Sequence, residues 1–248
     1  MKEKTIRVLI ALLFWLGVWS FAAWQVKAEF LLPGPVKVLE TLAALGGTAP
    51  FWKTILASLL RIFAGMVLGT LLGTVLAVLT TFFAWMDAIF SPAIKVIRAI
   101  PVASFSLLVL LWVYTNRVPV VVSALMVLPV VWGNVAQGIR ETDPLLLEAA
   151  KVYRFGRWKT VSLVYVPSVL PYFASGCHTA LGLAWKSGVA AEVLCIPKEA
   201  IGTQVYYSKY YLETPELFAW TIVVLALSFL MERGLAAALR RLESGDKT

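Results

Sequence analysis

The chain has 248 residues, 60% hydrophobic and only 15% charged, with a mean hydropathy of +0.83. That balance excludes an ordinary soluble domain, because several apolar runs approach the ~20 residues that span a bilayer. The net charge of +8 is dispersed along the flanks of those runs, which argues for positive-inside bias and against a nucleic-acid surface.

Six spans are predicted. The first, Val8–Val26, follows Lys2, Lys4 and Arg7. It exceeds the h-region of a cleaved signal peptide and is followed by further spans, so it is read as an uncleaved anchor. The second covers about Ile62–Phe83, where Gly65, Gly69 and Gly73 recur every four residues on one helix face. Bare faces of this kind let a second helix approach closely in lipid; the seam lies either within one subunit or between two.

The third span, Pro101–Tyr114, is preceded by Ser91-Pro92 and opened by Ile100-Pro101. Its length corresponds to only about 21 Å of helix. Short or proline-broken spans tend to line transport pathways, because their unpaired backbone groups need water, substrate or protein partners, and Pro101 is therefore a candidate pathway residue. The fourth span is Val118–Val135.

The fifth runs from Ser168 to about Ala191 and carries the intramembrane chemistry. Trp185, Lys186 and Glu192 are candidate pathway or gate residues, since ionisable groups in a span face a bundle interior or an aqueous cavity. Lys186 and Glu192 stand about 240° apart on a helix, so each needs a partner elsewhere. Lys186 either attracts an anionic solute or snorkels to the headgroups, and Trp185 either gates or packs. Cys177 and Cys195 are expected to be buried packing residues, and His178 a buried, hydrogen-bonded one. The sixth span is Leu217–Met231, after an outward loop, 196–214, whose Tyr206, Tyr207, Tyr210 and Tyr211 suit a membrane interface.

With a cytoplasmic N-terminus, the inner segments hold Lys2, Lys4, Arg7, Lys95, Arg98, Arg140, Lys151, Arg154, Arg157, Lys159, Arg233, Arg240, Arg241 and Lys247, the majority of the 22 Lys and Arg residues. Both termini and the 141–160 loop are then cytoplasmic. This loop is a charged island that reads as a helix. Asp143 supplies an N-cap and Pro144 an N1 proline. Leu145, Leu146, Ala149, Val152 and Tyr153 follow on one face, and Glu148 can pair with Lys151. By physics alone such a helix either lies on the headgroups or docks against a protein.

Residues 148–167 resolve that choice by resemblance. Glu148-Ala149-Ala150, followed at the proper distance by Val164-x-Val166-Pro167, resembles the EAA loop of ABC importer permeases. Arg154 stands where that family's pattern has glycine, with Gly156 two residues on. Arg98-Ala99-Ile100-Pro101, Asp143-Pro144, Leu183-Ala184-Trp185 and Ala191-Glu192 extend the likeness over about 55–240, to the subgroup importing nitrate, sulfonates and taurine.

The resemblance implies an all-α, polytopic membrane fold forming a single permease domain over 1–248. It implies a second permease subunit, normally a homodimer, two ABC ATPase subunits and an external solute-binding protein, in the plasma membrane. It assigns ATPase coupling to Glu148, Ala149, Ala150, Lys151, Gly156 and Pro167. No catalytic group is expected, nor any cluster with metal-ligand spacing. No phosphate loop is present in the sequence, so ATP is expected on a partner chain and no cofactor on this one. The alternatives are the coupling subunit of an energy-coupling-factor vitamin importer and, from another class, a membrane-embedded enzyme.

Overall fold

A computed structural model describes the backbone of residues 2–245 and the side chains of 6–237 apart from Val8. Lys247 therefore lies outside the described residues, as do the side chains of Lys2, Lys4, Arg240 and Arg241. Eleven α-helices make up the described fold: α1 (Lys2–Val26), α2 (Pro35–Gly46), α3 (Ala49–Phe82), α4 (Ala84–Ala99), α5 (Val102–Leu110), α6 (Val118–Arg140), α7 (Pro144–Val152), α8 (Arg157–Thr160), α9 (Val166–Cys195), α10 (Ile201–Tyr210) and α11 (Thr214–Gly245).

The glycine face of α3 fixes the topology. A Cβ added at Gly65 would lie 2.5 Å from the Val120 carbonyl oxygen, one at Gly69 would overlap that of Ala124, and one at Gly73 would lie 2.7 Å from that of Leu128. Both series ascend, so α3 and α6 run parallel with their backbones in contact. The seam is thus internal to the subunit. On α9 the pairings descend: Gly138 meets Tyr172, Asn134 meets Gly176 and the Ser123 hydroxyl donates to the Ala184 carbonyl. Hence α9 is antiparallel to α6.

Parallel α3 and α6 require the chain to recross the membrane between them. The third predicted span does not do this alone. Of Pro101–Tyr114, only Val102–Leu110 is α-helical, about 14 Å at the helical rise. The crossing is instead the pair α4–α5, bent by 109° at Ile100-Pro101. Pro101 cannot donate a backbone hydrogen bond, and the residue before a proline is driven out of the helical region; Ile100 has ψ 130°. Five long apolar helices and this broken pair give six crossings.

Other boundaries also move. α3 begins at Ala49, 13 residues before the expected start at Ile62, and α11 exceeds Leu217–Met231 at both ends. The 196–214 segment contains a helix, α10, on which Tyr206 stacks with Tyr210 and Tyr207 with Tyr211. The core is built where α3, α6, α9 and α11 meet, around Ile62, Val127, Val131, Trp185 and Trp220.

Candidate functional site

The charged 141–160 segment contains a helix, α7, braced at both ends. At its start the Asp143 carboxylate accepts a hydrogen bond from the Leu145 amide at 2.8 Å, as expected of an N-cap ahead of Pro144. At its end the Phe155 amide donates to the Ala150 carbonyl (2.8 Å) and the Arg154 amide to that of Lys151 (3.0 Å). That pair of bonds is a Schellman motif, which places Arg154 at the left-handed position. Its φ is 52°. Arg154 thus keeps the turn a glycine would make, at the cost of the Cβ crowding an L-residue meets there. Gly156 is not the turn residue; with φ −67° and ψ 160° it precedes α8 in extended geometry.

Within α7, Ala150 is buried, whereas Glu148, Ala149 and Lys151 are exposed. Among the described residues no ion pair joins Glu148 to Lys151. The apolar face is turned away from the bundle, with Leu145 70% exposed, Val152 78% and Tyr153 75%. Trp158, in α8, is likewise exposed. An amphipathic helix with its apolar side outward leaves that side to the headgroup layer or to a partner rather than to the core.

α7 connects to α9 through α8 and a π-helical turn at Val161–Tyr165 that runs straight into α9. Pro167 follows at the second residue of α9. Without an N–H, and with a ring that crowds the carbonyl of Leu163, it favours a widened turn at this point. The ring of Tyr165 packs edge-on against Phe82 at 5.6 Å, tying the turn to the end of α3.

At the opposite end of the bundle, Glu192 is completely buried. Its Oε2 accepts from the Ser58 hydroxyl (2.9 Å) and the Gly202 amide (3.1 Å), while Oε1 lies 3.6 Å from Arg61 Nη1. Ser58 Oγ in turn accepts from the Ile201 amide at 2.8 Å. Arg61 also donates to the Lys198 and Glu199 carbonyls. The first turn of α10 is therefore capped by side chains of α3 and α9, since Ala200 at its own N-cap offers none. Gly202 is required here, because a Cβ would sit 2.5 Å from that of Glu192.

These contacts revise the pathway set. Glu192 is a structural tie whose charged partner is Arg61. Trp185 is buried and its indole N–H donates to the Val224 carbonyl of α11 at 3.1 Å, so it packs. Pro101 is exposed at the α4–α5 bend. Lys186 is exposed on α9, with no hydrogen bond or ion pair among the described residues. His178, expected to be buried, is exposed on the same helix, while Cys177 and Cys195 are buried as expected.

Sequence reasoning missed Arg98, Asn134 and Gln137 as neighbours. They come together with Thr179 around a groove of about 560 Å³ between α4, α6 and α9. Two polar amides three residues apart in an otherwise apolar span were the available signal. No group of metal-ligating side chains occurs among the described residues.

Comparison with known proteins accords with this architecture. The chain is 27% identical over 232 residues to the taurine transport system permease protein TauC of Escherichia coli (strain K12), covering 90% of this chain and 83% of that one. It is 27% identical to the putative aliphatic sulfonates transport permease protein SsuC of Bacillus subtilis, covering 82% and 75%. To the bicarbonate transport system permease protein CmpB of Synechococcus elongatus it is 26% identical, covering 75% and 67%. Among solved structures, an amino acid ABC transporter shares the fold with a TM-score of 0.59 at 19% identity, covering 75% of this chain and 89% of that one. The inward-facing MetNI methionine ABC transporter does so with a TM-score of 0.58 at 18% identity, covering 77% and 93%. Residues 65–244 match the family described as the binding-protein-dependent transport system inner membrane component, and the chain belongs to that family.

Proposed function

We propose that this ABC importer permease passes a small oxyanion through the plasma membrane as one of two identical membrane subunits, driven by two ATPase subunits docked on α7. The observation that carries the reading is the α7 surface: a helix capped at both ends whose Leu145, Leu146, Val152 and Tyr153 side chains are exposed. A rigid helix transmits displacement, and an outward apolar face gives a partner something to grip. Exposed Ala149 permits close backbone approach, and Glu148 offers a carboxylate to a basic partner residue.

In this reading the α7 end of the bundle and both termini are cytoplasmic, following the excess of Lys and Arg there. ATP is bound by the partner chains, and this chain carries no cofactor. Closure of the ATPase pair brings two α7 helices together, and the α8–π-turn–α9 connection passes the movement to the bundle. The equilibrium shifts only insofar as the ATPases hold α7 differently in the two states. An external solute-binding protein delivers the solute at the α10 end. The oxyanion class is supported by the relatives named for taurine, aliphatic sulfonates and bicarbonate. The family match disfavours both the energy-coupling-factor and the membrane-enzyme alternatives.

The test is Glu148→Arg in the assembled transporter in vesicles. Transport and solute-stimulated ATP hydrolysis are expected to fall at least ten-fold, with the variant still inserted in the membrane. Undiminished coupling in that variant would remove α7 as the docking helix.

A further inference from the structure

The groove between α4, α6 and α9 is unusual for the charge it holds. Arg98 lines it beside Asn134, Gln137 and Thr179, and the remaining wall is apolar, including Met126 and Leu183. No carboxylate lines this groove. Among the described residues the Arg98 guanidinium has neither a hydrogen bond nor an ion pair, and neither does the Gln137 side chain. Asn134 spends one amide hydrogen on the Val130 carbonyl at 2.8 Å and keeps the other. Thr179 gives its hydroxyl hydrogen to the Ser175 carbonyl, so it has no donor to offer. The free inventory is therefore one cation and several N–H donors.

That inventory matches the needs of an oxyanion. A guanidinium presents its N–H groups as a planar fork that engages two oxygens at once, and ionised partners strengthen such bonds. Arg98 lies on the α4–α5 crossing rather than in the inner loop to which charge counting assigned it, and an ionisable side chain on a crossing is by default a candidate for a solute or ion pathway. The free cation Lys186 lies on the α9 face that carries Thr179 and Leu183, seven residues and about 10 Å beyond Thr179 toward the α10 end. It is a second station on the same side.

We propose that this groove is a transient binding site for a small organic oxyanion such as an alkyl sulfonate. Arg98 holds the anionic group, Gln137 and Asn134 donate to its oxygens, and the apolar wall accepts the short carbon chain. This assignment rests on the permease reading above and supplies what that reading leaves open, namely the residues of the membrane subunit that recognise the solute.

The test reads the groove directly and needs no ATPase. In the full-length chain with Cys177→Ala and Cys195→Ala, Thr179→Cys is labelled with anionic sulfonatoethyl methanethiosulfonate and with its cationic trimethylammonium counterpart. The anionic reagent is expected to be favoured, and Arg98→Gln to lower the anion-to-cation rate ratio about ten-fold. Millimolar methanesulfonate should slow both reagents when Arg98 is present and neither in Arg98→Gln. Arg98→Lys should keep the rate ratio but lose most of the protection, because it retains the charge without the fork. Leu183→Cys provides a second reporter should Thr179→Cys misfold. A rate ratio indifferent to Arg98→Gln, or labelling that methanesulfonate does not slow, would overturn the site. The Glu148→Arg outcome would be untouched by either result.

Discussion

Substituting Gly69 by alanine tests the internal seam most directly. The added Cβ would overlap the Ala124 carbonyl oxygen and lie 2.8 Å from the Val127 Cβ. Real Cβ atoms essentially never approach so closely, and the obstacle is backbone, which no rotamer change relieves. α3 and α6 must therefore separate by several tenths of an ångström, weakening contacts above and below the site. Overpacking of this kind costs about 1–3 kcal/mol. Roughly 2–4 °C of melting temperature is lost per kcal/mol in a chain of this length, so a loss of about 4–8 °C is expected for a mid-range cost. Gly65→Ala should behave similarly, and Gly73→Ala less severely, since its contacts are 2.7 and 3.1 Å. Gly234→Ala is the control: nothing lies within 4 Å of its Cβ position, so improved helix propensity should leave it neutral or slightly stabilised. Thermal unfolding in detergent can be followed with a thiol-reactive fluorophore, because Cys177 and Cys195 are both buried until the bundle opens. If Gly69→Ala melted at or above the parent temperature, the parallel α3–α6 contact would be wrong, and with it the argument that α4–α5 recrosses the membrane.

Three further outcomes are expected. Arg154→Gly should relieve the left-handed turn after α7 by about 1 kcal/mol, slowing hydrogen exchange at the Phe155 amide about two- to five-fold; Arg154→Val should speed it, and the reverse order would refute the Schellman assignment. Glu192→Ala should cost about 2 kcal/mol, below the usual 3–5 for breaking a buried pair, because Arg61 keeps the Lys198 and Glu199 carbonyls. Its signature is faster exchange at Gly202 and Ile201 with α7 unchanged, and unaltered α10 protection would contradict the capping role. Lys186→Met should reduce uptake of an anionic solute by the assembled transporter several-fold while leaving assembly intact; equal uptake would return Lys186 to a snorkelling role.

The α7 helix is legible in the sequence because its determinants are local. Asp143-Pro144 starts it, the spacing of Leu145, Leu146, Ala149, Val152 and Tyr153 gives it a face, and the Glu148–Pro167 spacing carries the resemblance to the family. Arg154 shows where local reading stops. The residue type argues against a glycine-like turn, and the hydrogen bonds from Phe155 and Arg154 show that the turn is made regardless.

Sequence alone determined that the chain is apolar enough to live in lipid, roughly where its spans lie, and that a bare face recurs along Gly65, Gly69 and Gly73, since each depends on composition or helical periodicity. Only the tertiary structure decided which helix fills that face, why a nine-residue helix suffices near Pro101, which partners Glu192 and Trp185 meet and which groove Arg98 lines. Those outcomes depend on contacts between residues far apart in the chain, such as Ser58 with Glu192 and Trp185 with Val224. In lipid, where most side chains are apolar whether they face a neighbour or the bilayer, periodicity carries little information about which face turns inward.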